Sequence, residues 1–241
     1  MKFLSTKILP ESSFFSQFDL ITISSLPNLL ICRNVYSLEH FERRLFDVYN
    51  ICFPDSLNRA VNKRRAEFLA GRCAASSVLS HLGYKNTRVP VGKHRSPIWP
   101  NEIIGSITHT NTSALCAVAN TKDRVFLGID LENWLTDETI RATKRLIIQE
   151  REERLLKNSA MNFNEAMTLV FSAKESLFKA LYPRVRDYFD FLAVEIVGIS
   201  VEQRHFELRL CQNLSSDLTI GRCFKGHFKL EAGAILTLIT D

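Results

Sequence analysis

The chain of 241 residues lacks the cysteine pairs that mark a zinc centre or a disulfide scaffold. Its six cysteines lie far apart, none in a C-x-x-C pair and none with a histidine at ligand spacing, so the reduced, buried thiols of a cytoplasmic protein are expected. Long apolar runs are missing as well. No stretch of about 18 apolar residues occurs, so no membrane-spanning helix is expected. Met1-Lys2-Phe3-Leu4 opens like a leader, but Lys7, Pro10 and Glu11 interrupt it before an apolar core can form. Low-complexity segments are absent, and so is a strong excess of one charge. The net charge of +5 suits an acidic partner or a phosphate-rich ligand without demanding nucleic acid. What remains is an ordinary globular composition, 46% hydrophobic and 24% charged, in a chain long enough for one large domain or two smaller ones.

The most informative stretch is Phe126-Leu127-Gly128-Ile129-Asp130-Leu131-Glu132. An apolar run ends in two carboxylates spaced i, i+2. In a strand this spacing points Asp130 and Glu132 to one face and Leu131 to the other. Two carboxylates side by side repel unless a positive group lies between them, and a hard divalent cation such as Mg²⁺ answers that need with oxygen ligands. A lone D-x-E is more often a strand end with two solvated acids.

A second stretch bears on that choice. Phe171-Ser172-Ala173-Lys174-Glu175-Ser176-Leu177-Phe178-Lys179-Ala180-Leu181 reads as an amphipathic helix. Val170, Ala173, Leu177, Ala180 and Leu181 form an apolar stripe, and Ser172, Glu175, Ser176 and Lys179 a narrow polar one. Glu175 and Lys179 share a face one turn apart. On an open surface they would form an ion pair worth a few tenths of a kcal/mol. The small neighbours and flanking phenylalanines suit a cleft better.

Leu57 to Leu82 is a long helix candidate, with Gly83 as its C-terminal cap. Arg59, Lys63, Arg64, Arg65 and Arg72 are its basic residues, and Ala66, Ala70, Gly71, Ala74 and Ala75 let another element come close. Guanidinium groups suit phosphate. Helical phase puts Arg65 and Arg72 on one face, with Arg64 to the side. A solvated basic face is an equal alternative. Val89 to Trp99 is a loop carrying Lys93, His94 and Arg95 between a glycine and a proline, placed to reach a polyphosphate if turns hold them. Ile103 to Ile107 reads as a strand ending at Thr108-His109-Thr110, and Thr112 to Ala119 as a buried strand.

Leu20–Ile23 and Leu29–Cys32 are short apolar segments, and Tyr36 to Asn50 is either a helix or an extended connection. After Glu132, Thr136 to Leu156 reads as one charged amphipathic helix, and Glu165 to Leu181 as a helix ended by Tyr182-Pro183. Four strands close the chain: Ala193–Ser200, His205–Leu210, Lys225–Leu230 and Ala234–Ile239. The order strand, helix, strands occurs twice, which divides the chain into residues 1–122 and 123–241.

Five motifs occur in order: Lys63-Arg64-Arg65-Ala66-Glu67-Phe68-Leu69-Ala70-Gly71-Arg72, Ser96-Pro97-Ile98-Trp99-Pro100, Gly105-Ser106-Ile107-Thr108-His109, Gly128-Ile129-Asp130-Leu131-Glu132 and Phe171 to Ala180. Over roughly residues 60 to 181 this succession resembles the 4′-phosphopantetheinyl transferases, in the group like enterobactin synthase component D. The resemblance implies an α+β fold of two similar halves with coenzyme A between them. It implies transfer of the 4′-phosphopantetheine arm of coenzyme A to a serine of an apo carrier domain, with release of adenosine 3′,5′-bisphosphate. By the same resemblance Asp130, Glu132 and Glu175 bind Mg²⁺, while Arg64, Arg72, the loop at Lys93, His94 and Arg95, Thr108, His109, Asp130 and Lys179 meet coenzyme A. The family pattern favours Arg64 where helical phase favours Arg65, so both stand. Some relatives carry a lysine just before the loop glycine; this chain has Val91, and one of Lys93, His94 and Arg95 is expected to stand in.

The chemistry agrees with the residues. A serine hydroxyl is a weak nucleophile that needs a base and an in-line phosphorus. Glu175 is the candidate base, and Lys179 the candidate group to stabilise or protonate the departing phosphate. Peptidyl, aryl and acyl carriers are all admissible partners in a cytoplasmic, monomeric setting. A Mg²⁺ phosphoesterase and a carrier-binding module without chemistry are the alternatives. The first usually places its glutamate and lysine on a strand, the second would have lost carboxylates, and neither description fits Glu175 and Lys179.

Overall fold

A computed structural model describes residues 12–241 in full and, before them, the backbone of Phe3–Ile8. Met1, Lys2, Pro10 and Glu11, on which the reading of an interrupted leader turns, lie outside the described residues. The chain divides into two compact units, residues 1–125 and 126–241.

The first unit is an antiparallel sheet under one long helix. Its strands are β1 (Phe3–Ile8), β2 (Phe15–Ile23), β3 (Leu26–Tyr36), β4 (Ile103–His109) and β5 (Ser113–Asn120), in the order β1-β2-β3-β5-β4. The two short apolar segments are the end of β2 and the middle of β3. Between them the register shifts at Pro27, where Ile23 opposes Leu26 while Thr22 opposes Leu30. Pro27 has no N–H to lose there, and Asn28 takes a left-handed conformation at φ 63°. Between Tyr36 and Asn50 only a turn at Leu38–His40 and the four-residue α1 (Leu45–Val48) are helical.

Helix α2 (Asn62–His81) covers β3, β4 and β5. It starts five residues later than Leu57, because Asp55–Leu57 forms a separate turn and Val61 is extended. Gly83, at φ 85°, follows its end as the sequence predicts. Ala66, Ala70, Ala74 and Ala75 are buried against the sheet. A Cβ on Gly71 would lie 2.9 Å from Ile107 of β4, so the missing side chain sets how close helix and strand come.

The second unit repeats the plan in another order. Its strands are β6 (Leu127–Asn133), β7 (Val194–Ser200), β8 (His205–Leu210), β9 (Cys223–Glu231) and β10 (Ala234–Thr240), arranged antiparallel as β6-β10-β9-β8-β7. Helices α3 (Asp137–Ile147), α4 (Glu150–Lys157) and α5 (Phe163–Val185) fall between β6 and β7. The single helix expected over residues 136–156 is two. Ile148 and Gln149 are extended, Gln149 and Glu152 form a capping box, and buried Ile147 and Ile148 hold the break inside. Helix α5 passes the expected stop at Pro183 and ends at Val185, since a proline in the final turn removes only one helical hydrogen bond. Left-handed Arg186 then caps it through its N–H to the Tyr182 carbonyl at 2.8 Å.

Helices segregated from two antiparallel sheets make this an α+β protein, as expected. No helix among the described residues is long and apolar enough to cross a membrane. All six cysteines are free thiols; Cys32, Cys73 and Cys116 are buried, whereas Cys52 and Cys223 are exposed, so the expectation of buried thiols fails for those two.

Candidate active site

The acidic constellation sits where β6 lies against α5. Gly128 makes that contact possible: a Cβ there would fall 1.8 Å from the Ser176 carbonyl oxygen and 2.8 Å from the Ala180 nitrogen. Helix and strand therefore touch backbone to backbone, and the polar stripe of α5 meets Asp130. The Lys179 ammonium donates to Asp130 Oδ1 at 2.6 Å and to the Ile129 carbonyl at 3.3 Å. Ser172 Oγ donates to Asp130 Oδ2 at 2.8 Å. The hydroxyl of Thr237, the cross-strand neighbour of Asp130 on β10, lies 2.8 Å from Ser172 Oγ and donates to the Ser172 carbonyl at 3.0 Å. Asp130 is thus buried with both oxygens engaged. The surface ion pair considered between Glu175 and Lys179 gives way to this one, because β6 offers the lysine a buried carboxylate.

Electrostatics ties Glu132 and Glu175 to the same cluster. Burial pushes Glu132 up to about 8, with the charge of Asp130 adding most of the rest, Lys179 opposing and Glu175 adding a little. Burial also raises Glu175, Lys179 opposing and Asp130 adding. One lysine serves three carboxylates. Among the described residues no three such side chains stand together closely enough to hold a metal ion. The donor chemistry nonetheless fits a hard cation, for the donors are all oxygen, and burial, with the charge of Asp130 adding to it, favours protons on two glutamates that a cation would otherwise balance.

The basic constellation belongs to the other unit. Arg64, in the first turn of α2, donates from Nη1 to His109 Nε2 at 2.9 Å and lies 3.4 Å from Glu67 Oε2. Arg65 points elsewhere: it donates to the Leu57 and Asn58 carbonyls at 3.1 and 2.8 Å and to Asn62. Its donors are spent on the turn before α2, so the helical-phase argument for Arg65 is overridden by local chain closure. Arg72 is buried, its guanidinium 4.8 Å from the centre of the Phe68 ring, and its Nε makes no hydrogen bond. Burial lowers its pKa to about 10, Cys116 opposing and Arg64 adding. A buried cation with an unanswered donor fits an anionic ligand.

The loop before β4 is held by turns. Gly92 N–H donates to the Ser96 carbonyl at 2.7 Å, Ser96 Oγ to the Lys93 carbonyl at 2.8 Å, and Val91 bridges Pro97. His94 and Arg95 both adopt left-handed backbone at φ 53° and 64°, and Lys93, His94 and Arg95 are exposed. Two consecutive non-glycine residues in that region are strained, and such strain clusters at ligand sites. Trp99 anchors the loop's far end: a Cβ on Gly105 would meet its ring at 2.6 Å. Thr108 is buried on β4 one residue before His109.

Three partners escaped sequence reasoning. Thr237 carries no local signal, since only the β6–β10 register brings it to Asp130. Lys174 is fully buried, donating to the Ile147 and Phe191 carbonyls at 2.7 and 3.0 Å and pairing with Glu152 at 2.8 Å, so it clips the α3–α4 break to α5. The Lys63–Arg72 motif gives Glu67 no role of its own, yet this carboxylate faces Arg64 and His109.

Comparison with known proteins finds matches in both units. The family described as 4′-phosphopantetheinyl transferase N-terminal domain matches residues 53–119, and the 4′-phosphopantetheinyl transferase superfamily matches residues 126–222. Enterobactin synthase component D of Escherichia coli (strain K12) is 37% identical over 166 residues, 66% of this chain and 77% of that protein. Its namesake from Salmonella typhimurium is 40% identical over 132 residues, and that match spans about half of each protein, 54%. The 4′-phosphopantetheinyl transferase Svp of Streptomyces mobaraensis is 31% identical over 202 residues, 80% of each chain. The chain belongs to the 4′-phosphopantetheinyl transferase superfamily and is an enzyme of that class.

Proposed function

We propose that the enzyme transfers the 4′-phosphopantetheine arm of coenzyme A to the serine of an apo carrier domain in the cytoplasm, with Mg²⁺, and serves nonribosomal peptide assembly of the siderophore kind. The observation that carries this reading is the buried Asp130–Lys179 pair beside two raised glutamates, an acid cluster set for a cation and a proton. The 37% identity to an enterobactin synthase component supports the siderophore role. The +5 charge suits the acidic surface of a carrier, and one chain holding both constellations suits a monomer.

The first unit takes the phosphates. Arg64 and His109 act together, Arg72 offers its unanswered donor, and the exposed Lys93-His94-Arg95 turn and Thr108 complete the contacts. The second unit takes the chemistry. Asp130, Glu132 and Glu175 would hold Mg²⁺, which when bound neutralises charge on the pyrophosphate. Glu175 accepts the proton of the carrier serine as its oxygen attacks the β-phosphorus; burial raises its affinity for a proton, which suits a base. The new bond joins serine to phosphorus, and the broken one frees adenosine 3′,5′-bisphosphate. Lys179, one helical turn on, faces the charge that the leaving phosphate gains.

The test is the intact mass of an apo peptidyl carrier incubated with the enzyme, coenzyme A and Mg²⁺. One added phosphopantetheine, lost with EDTA and with the carrier serine changed to alanine, is the expected result. No shift across peptidyl, aryl and acyl carriers, with coenzyme A still bound, would refute the reading.

A further inference from the structure

Glu67 stands out in the first unit as a carboxylate almost buried among groups assigned to an anionic ligand. An acid there repels the ligand, and burying it costs stability unless it is paired. Its position explains its presence. Glu67 lies on α2 one turn after Arg64, and its Oε2 is 3.4 Å from Arg64 Nη1 and 3.9 Å from His109 Nδ1. The third side of the triangle is the 2.9 Å contact between Arg64 Nη1 and His109 Nε2.

That triangle fixes the imidazole. A guanidinium N–H only donates, so Nε2 of His109 accepts, and the proton of the neutral ring sits on Nδ1, the atom that faces Glu67. With Nη1 turned to His109 and Glu67, Arg64 keeps its remaining N–H groups for a ligand. The surroundings are rigid. The Tyr36 hydroxyl donates to the Thr110 carbonyl at 2.6 Å and its N–H to the Thr112 carbonyl at 2.8 Å, pinning the turn that follows His109. Gly71 sets the distance between α2, which carries Arg64 and Glu67, and β4, which carries His109.

We infer that Glu67 is a positioning residue for coenzyme A binding: it accepts from Arg64 and, 3.9 Å from His109 Nδ1 and so beyond hydrogen-bond reach, favours by its charge the Nδ1–H form of the ring, which keeps Nε2 as the acceptor that orients Arg64 toward phosphate. The inference rests on the assignment of Arg64 and His109 to coenzyme A phosphates. Ordering these two side chains before the ligand arrives removes that ordering cost from binding.

The test is a double-mutant cycle on the Michaelis constant for coenzyme A. Glu67→Gln keeps the side chain's shape and removes its charge, and should raise that constant about tenfold, as the loss of a charged hydrogen bond does, with kcat changed far less. In an Arg64→Ala or His109→Ala background the same change should add almost nothing. A merely structural glutamate would add the same factor in every background, and that result would overturn the inference. If Arg64→Ala and His109→Ala themselves leave the constant unchanged, the phosphate assignment fails and takes the inference with it. If they raise it and Glu67→Gln does not, the inference alone fails. Should Glu67→Gln not fold, ¹⁵N NMR of the unmodified protein decides, with the His109 signals assigned by His109→Gln. The expected form carries its proton on Nδ1, and a proton on Nε2 would contradict the triangle.

Discussion

The two constellations solve opposite electrostatic problems. On α2 and β4, Arg64 and His109 surround one carboxylate, Glu67, in the group proposed to take an anion. On β6 and α5, acids surround one ammonium, Lys179, in the group proposed to take a cation. Each site thus carries a single opposite charge as organiser. The difference lies in the cost of waiting. Arg64, His109 and Glu67 satisfy one another, whereas Glu132 and Glu175 hold protons more tightly because burial disfavours their charge and Asp130 adds to it. A relaxed site suits binding, and a loaded one suits chemistry.

The harshest way to break this contrast is to separate β6 from α5. Gly128→Ala puts a methyl group against the Ser176 carbonyl and should cost about 3 kcal/mol or more in urea denaturation, with loss of activity. Next, Glu132→Ala should lower kcat on the order of 10³-fold while thermal stability holds or rises, since it removes a half-buried acid whose charge desolvation and Asp130 disfavour. Arg72→Ala should do the reverse, raising the Michaelis constant for coenzyme A about tenfold and sparing kcat. An unchanged constant would remove Arg72 from the site.

A pH experiment sharpens the loaded half. Glu132 rises from an ordinary 4.5 to about 8 on folding, so between those values the folded protein holds a proton that the unfolded chain has released. Stability without metal therefore falls as pH climbs through this window. Mg²⁺ competes with that proton, so its increase of Tm should be larger at pH 8.5 than at pH 6.5. An increment independent of pH would detach Glu132 from the metal. The smallest effect is Arg65→Ala, which should cost about 1 kcal/mol of stability and leave the coenzyme A constant alone.

The sequence was most legible where chemistry and local periodicity coincide. Asp130 and Glu132 at strand spacing and the polar stripe Ser172–Lys179 were readable because both lie within one element. The break at Ile148 was not, since two buried isoleucines in a row continue a helical pattern as well as they end one. That Arg64 meets His109 while Arg65 closes the 57–58 turn required knowing where these groups lie in the fold. Thr237, Lys174 and Glu152 act through partners far away in sequence, and a burial pattern does not say which buried polar groups meet. Pro183 was read by its usual rule and obeyed a narrower one, because the final helical turn tolerates it.

The central claim is that coenzyme A binding and phosphoryl transfer are assigned to different groups of residues. The most direct test takes Glu132→Ala with saturating coenzyme A and Mg²⁺, following the carrier by intact mass and coenzyme A by titration calorimetry. The account predicts coenzyme A bound within a few-fold of the unmodified enzyme and no phosphopantetheine gained by the carrier. A carrier modified at a near-normal rate would contradict it.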